Sequence, residues 1–291
     1  MPPTRIPTKE DFAPIFPSHP TYRRQQHQEE PISLVYPDPP ESTTSILLLF
    51  HGLGDSERPF AAFARNLRLP GVLAVSVRGT APLPPVLLPV SDSGSDTQGQ
   101  GYHWGDDLTF TQGGDAIDPD PGFDHARAWI MDRLVGEVLV GKCGWELEDL
   151  LIFGFGQGGA FGLGLASSLR KDEGDRVVDV TDADADADAG HRGGRRGKGK
   201  AFKGVVSVGG GLPMSMVPSV GGLGKAKTPV LVCCGRESEA VDEDAEELLE
   251  GEFEQVKVVR WKRNDDGMPR NREEVLPMMQ FFADRLRSGW L

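Results

Sequence analysis

The residues best placed to do chemistry lie in Leu150-Leu-Ile-Phe-Gly154-Phe155-Gly156-Gln157-Gly158-Gly159-Ala160. An apolar strand ends in glycine, turns sharply and enters a helix rich in small residues. Two chemistries use such a turn. In the first, Gly-x-nucleophile-x-Gly presents a serine from strained backbone while the flanking glycines let the helix pack close; here Gly156 holds the central position. In the second, Gly154-x-Gly156-x-x-Gly159 satisfies the dinucleotide fingerprint, with Asp179 about twenty residues further on as the ribose acid. That acid adjoins a low-complexity stretch rather than a convincing second strand, which weakens the oxidoreductase reading.

Upstream, the strand Ile46-Leu-Leu-Leu-Phe50 runs into His51-Gly52-Leu53-Gly54-Asp55. With the Gly156 segment, with His103-Trp104-Gly105-Asp106, and with Thr228-Pro229-Val230-Leu231 leading to Gly235, this resembles the carboxylesterase and acyl-protein thioesterase family of α/β-hydrolases from about Ser33 onward. The resemblance implies an α/β-hydrolase fold and a serine hydrolase using Ser, Asp and His in that chain order: serine attacks, histidine takes its proton, aspartate orients the imidazole. It aligns the nucleophile with Gly156, the acid with Ser238 and the base with Asp266 or a neighbour in the loop Asn264–Pro269. It also implies oxyanion donors at the backbone N–H groups of Leu53 and Gln157, with Gly52, Gly54 and Trp104 around the pocket. No cofactor or metal is expected.

The six histidines are His19, His27, His51, His103, His125 and His191. None follows His191, so no shift of register supplies a base from the C-terminal loop. The expected protein is a pseudoenzyme whose vestigial oxyanion site holds an acyl or carboxylate ligand at the helix N-terminus opening at Gln157. The opposing reading is an active ester or thioester hydrolase built on unorthodox residues. Cys233 and Cys234 end a strand near the pocket, but neighbouring Glu237 and Glu239 would raise a thiol pKa, so buried structural cysteines are expected. His51 and His103 with Asp55 or Asp106 lack metal-ligand spacing and read as structural.

These groups need a scaffold. The chain has 291 residues, 38% hydrophobic and 26% charged, which suits one large α/β domain. Its longest apolar run, Ile46–Phe50, is too short to span a bilayer. A net charge of −13 argues against nucleic-acid partners, which basic surfaces hold. The first residues lack a secretory-signal layout and three cysteines make no disulfide framework, so a reducing, cytosolic home is expected.

Residues 1–31, proline-rich and polar, read as an extended or disordered lead-in, and the domain as 32–291. Seven apolar runs predict strands: Ser33–Tyr36, Ser45–Phe50, Val72–Val77, Leu150–Phe153, Phe202–Val208, Pro229–Cys234 and Val256–Trp261. Helical stripes fall at Phe60, Phe63, Ala64 and Leu67 and at Ala126, Ile130, Leu134 and Val138. A third, Val275, Met278, Met279, Phe282 and Leu286, follows an Asn271/Glu274 capping box and should bend at Pro277.

The alternation predicts a mainly parallel sheet covered on both faces, its site at the carboxyl ends of the strands. The acidic run Glu237–Glu254 reads as the solvated face of a surface helix. Residues 79–120 read as a long loop. The insert at about 171–201 carries Asp182-Ala-Asp-Ala-Asp-Ala-Asp188 and lacks the turn glycine and bidentate acid of a calcium loop.

Overall fold

Seven apolar runs do become the strands of one sheet in the computed structural model, which describes residues 3–15, 30–87, 100–111, 117–170, 201–218 and 224–287. They are β1 (Ile32–Val35), β2 (Ser45–Phe50), β3 (Val72–Val77), β6 (Leu150–Phe155), β7 (Gly204–Val208), β8 (Val230–Cys234) and β9 (Val256–Arg260). The sheet order is β1-β3-β2-β6-β7-β8-β9, all neighbours parallel except β1 against β3. Every residue of β2 and β3 is buried, as expected where helices cover both faces. Chain order reverses between β2 and β6, since β3 lies on one side of β2 and β6 onward on the other. Crevices at such switch points are where α/β sheets bind ligands.

Alternate strand residues face opposite layers. Ile46, Leu48, Phe50 and Ile152 pack with Ile130, Leu134 and Phe161, whereas Leu47, Leu49 and Phe153 pack with Phe60, Met278 and Phe282. The first layer is covered by α3 (Asp124–Arg127) with its continuation Ala128–Lys142, and by α4 (Gln157–Ser167). The second is covered by α2 (Glu57–Leu67) and α6 (Arg272–Arg287). Asn271 Oδ1 accepts the Glu274 N–H at 3.0 Å, one half of the expected capping box, while the Glu274 carboxylate takes the Asn271 side-chain amide at 2.8 Å and the Arg270 N–H at 2.7 Å in place of the Asn271 N–H. Pro277 sits inside a helix that runs on through it. The acidic run forms α5 (Glu243–Glu252), capped by Asp242 and anchored by buried Leu249.

Three features depart from the sequence reading. Residues 3–15, expected as part of a lead-in, carry the short helix α1 (Lys9–Phe12) and bury Phe12 and Ile15. Asp11 anchors this segment, accepting two hydrogen bonds from Arg5 at 2.6 and 2.7 Å and pairing with Lys142 at 2.9 Å. Within the expected 79–120 loop, β4 (Ala81–Pro82) pairs with β5 (Tyr102–His103). The stretch Ala128–Lys142 is π-helical over 15 residues. Gly141 lets the carbonyl of Gly136 approach, since an added Cβ there would lie 2.9 Å from that oxygen. The Asp-Ala repeat and Asp179 fall outside the described residues. Among those described, no helix is long and apolar enough to cross a membrane.

Candidate functional site

Register brings two loops together. Phe50 pairs with Gly154, so the chain leaving β2 at His51 and the turn leaving β6 at Phe155 emerge side by side at the carboxyl end of the sheet. Gly156 caps α4 at φ 50° and ψ −120°, a conformation that costs a non-glycine residue about 1–3 kcal/mol. Space is not the obstacle there, because an added Cβ would meet only the Gly52 Cα, at 4.0 Å. Gly158 is constrained differently. A Cβ on it would lie 2.4 Å from the carbonyl oxygens of Phe50 and His51. The helix is thus seated directly on the β2 loop.

The β2 loop is braced from behind by His51, which is fully buried. The Gly79 N–H donates to its Nε2 at 2.7 Å, which leaves the proton on Nδ1, 2.8 Å from the Gly52 carbonyl. Trp104 Nε1 donates to the His51 carbonyl at 2.8 Å, and the Trp104 N–H donates to Gln157 Oε1 at 2.9 Å. Trp104 is therefore a buried brace between the two loops, stacked on Phe161, and not an exposed pocket wall. Gly54 donates to the Tyr102 carbonyl and Tyr102 to that of Asp55, both at 2.9 Å, which ties Leu53 and its neighbours to β5.

Burial holds His51 neutral, lowering its pKa from 6.5 to about 4. Between those values the unfolded chain binds a proton that the folded chain refuses. The contribution of this group is full above pH 6.5 and is lost as the pH falls toward 4. Unfolding free energy is therefore expected to drop by up to roughly 3 kcal/mol on this account across that window. The drop should be missing from His51→Gln in urea titrations taken at stepped pH; an unchanged acid limb in that variant would contradict the assignment. His103, also lowered by burial, stays constant in the comparison.

The sequence-aligned acid and base positions also meet. Ser238 Oγ donates to Asp266 Oδ2 at 2.7 Å and accepts the Val241 N–H at 3.2 Å, while Asp266 Oδ1 accepts the Gly235 N–H at 2.7 Å. Asp266 lies against Gly209, at positive φ, whose added Cβ would come within 2.7 Å of the Asp266 Cβ. Next to it, a Cβ on Gly210 would press on the Gly156 carbonyl at 2.4 Å. Arg263 and Arg270 each hold neighbouring Asp265 at 2.6 Å, and Arg263 Nη2 also donates to the Gly267 and Met268 carbonyls, which fixes the loop.

Cys233 and Cys234 are fully buried, and burial pushes their thiols up to about 12 and about 11. Neither is a nucleophile at neutral pH. The His51/His103/Asp55/Asp106 set does not converge: Asp106 instead accepts the N–H groups of Asp124 and His125, both at 2.8 Å, as the cap of α3. Among the described residues no cluster of three or more metal-ligating side chains occurs.

One group gave no signal in the sequence. Glu57, at the first position of α2, takes two hydrogen bonds from Arg78 at 2.6 and 2.7 Å, with both side chains buried beside the His51 loop.

A parallel sheet with a reversal at β2/β6, a sharp glycine turn into α4 and a donor loop after β2 define an α/β-hydrolase fold. The Phospholipase/Carboxylesterase family profile matches residues 34–178, about half of the chain, and the chain belongs to that family. A Zea mays acyl-protein thioesterase 2 structure aligns with 88% of this chain and 98% of its own, at 20% identity and TM-score 0.54. A phospholipase/carboxylesterase from Dyadobacter fermentans aligns with 88% and 97%, at 14% identity and TM-score 0.53. At such identities the likeness is one of fold. An uncharacterized hydrolase of Schizosaccharomyces pombe is 33% identical over 114 residues, 39% of this chain and 42% of that protein. One of Mycosarcoma maydis is 32% identical over 132 residues, 44% of each chain. The match thus spans under half the length of these curated relatives.

Proposed function

We propose that the chain is a catalytically degenerate member of its family whose oxyanion site binds an acyl or carboxylate ligand, in a reducing, cytosolic setting that suits its three free, buried cysteines. One observation supports this most: Gly156 keeps the nucleophile turn, while Ser238 and Asp266, at the acid and base positions, are hydrogen-bonded to each other. An acyl transfer needs an attacking oxygen and a base to take its proton. Gly156 offers no oxygen, and each Asp266 oxygen already accepts a hydrogen bond. The backbone N–H groups of Leu53 and Gln157 do not depend on side chains, and the start of α4 adds a partial positive charge.

Short p-nitrophenyl esters and acyl-thioesters are expected to turn over no faster with this protein than with Gln157→Pro, and a fluorophosphonate probe is expected not to label it. Butyrate, followed by ligand-observed NMR, should bind the parent and Gln157→Ala but not Gln157→Pro. Proline at the first helical position removes the N–H and leaves the helix intact. Specific turnover well above the proline variant, or a covalent probe adduct, would sink the reading.

A further inference from the structure

A groove lies at the other end of the sheet. Where α2 and α6 reach the sheet's amino-terminal edge they part around this groove of about 1060 Å³, beside Thr44 and Gly71 and away from Gly156. Its floor is apolar, formed by Leu47, Val72 and Ala74 of the sheet, with Met279 and Leu286 along one wall. Ala64, Ala74 and Ala283 explain the depth, since short side chains stand where sheet and helices meet.

The rim carries Arg65, Arg68 and Arg287, all exposed and without an ion pair among the described residues, and one acid, Asp38. Elsewhere Arg5, Arg78, Arg170, Arg260 and Arg263 each hold a carboxylate. The C-terminal ends of the two helices contribute roughly half a negative charge each. With Asp38 they offset two of the three arginines, leaving about one positive charge above an apolar floor. A protein with net charge −13 has concentrated a cationic rim here.

We propose that this groove binds a single-chain amphipathic monoanion, an aliphatic carboxylate lying along the floor with its head on Arg65 and Arg68. The apolar length supplies affinity in proportion to the surface it covers, and the planar guanidinium groups supply the preference for a carboxylate head.

The test is calorimetric titration of the full chain with monomeric dodecanoate, octanoate, dodecanol and dodecylammonium. Dodecanoate should bind about tenfold or more tightly than octanoate and dodecanol, and dodecylammonium should not bind. Arg65→Glu/Arg68→Glu, two exposed changes, should weaken dodecanoate by about tenfold or more. Ala283→Phe, which projects into the groove from the α6 wall, should weaken it as well, with circular dichroism checking the fold of each variant. A photoactivatable dodecanoate analogue should label α2 and α6 peptides. Labelling confined to residues 51–55 or 154–160, with none on α2 or α6, would assign the binding to the oxyanion site and overturn the groove. So would equal affinity for dodecanol, an unaffected double variant, or binding seen only once residues 288–291 are removed, which would make that tail the occupant.

Discussion

Serine placed at Gly156 alone is expected to leave ester hydrolysis within about tenfold of the parent protein, whereas Gly156→Ser/Ser238→Asp/Asp266→His together should raise it by on the order of a thousandfold. The geometry supports both halves. A Cβ at residue 156 has room, yet at φ 50° and ψ −120° it carries about 1–3 kcal/mol of strain, so the single variant should unfold at a lower urea concentration. Its hydroxyl would have no imidazole to deprotonate it. The triple variant would put an aspartate and a histidine where Ser238 and Asp266 already lie 2.7 Å apart. Rapid turnover by the single variant in a p-nitrophenyl butyrate assay would show that another base serves the turn. A triple variant that folds but stays inert would show that the two positions do not address residue 156.

Loss of the Glu57 carboxylate should produce the largest change in stability. Glu57→Gln is expected to cost roughly 3–5 kcal/mol, because it removes the charge opposite a guanidinium that is 6% exposed. Arg78 keeps its stacking on the Tyr102 ring at 4.9 Å, but a ring face does not replace a bidentate carboxylate. Glu57→Leu/Arg78→Met should recover most of that loss, since two apolar groups of similar volume need no partner. Urea unfolding of the two variants and the parent decides the matter. A single-variant cost below about 1 kcal/mol would mean that water reaches the pair. Because this pair sits beside His51, its loss should also loosen the loop that carries Leu53.

The strands were legible because burial on both faces demands near-continuous apolar runs such as Ile46–Phe50 and Val230–Cys234, which no charged or turn residue interrupts. The vacancy at the turn was legible too, as a glycine in a fixed frame of glycines. What could not be read depends on partners far apart in sequence. The N-terminal segment is held by groups such as Cys143, whose carbonyl accepts the Arg5 N–H, and local composition does not encode that meeting. Strands β4 and β5 are two residues each, too short for a period to show. Trp104 was visible as an aromatic near the site, but its role as a brace needs the Gln157 side chain, which arrives from another strand-turn unit. Glu57 and Arg78 look like ordinary surface charges until the sheet brings them face to face.

The left-handed turn at Gly156 also makes change at this position directional. Replacing a strained side chain with hydrogen relaxes the backbone at once, whereas the reverse step tightens it and returns nothing until two further positions have changed. Mutational paths outward are therefore downhill and paths back cross a barrier, a molecular ratchet set by one dihedral angle.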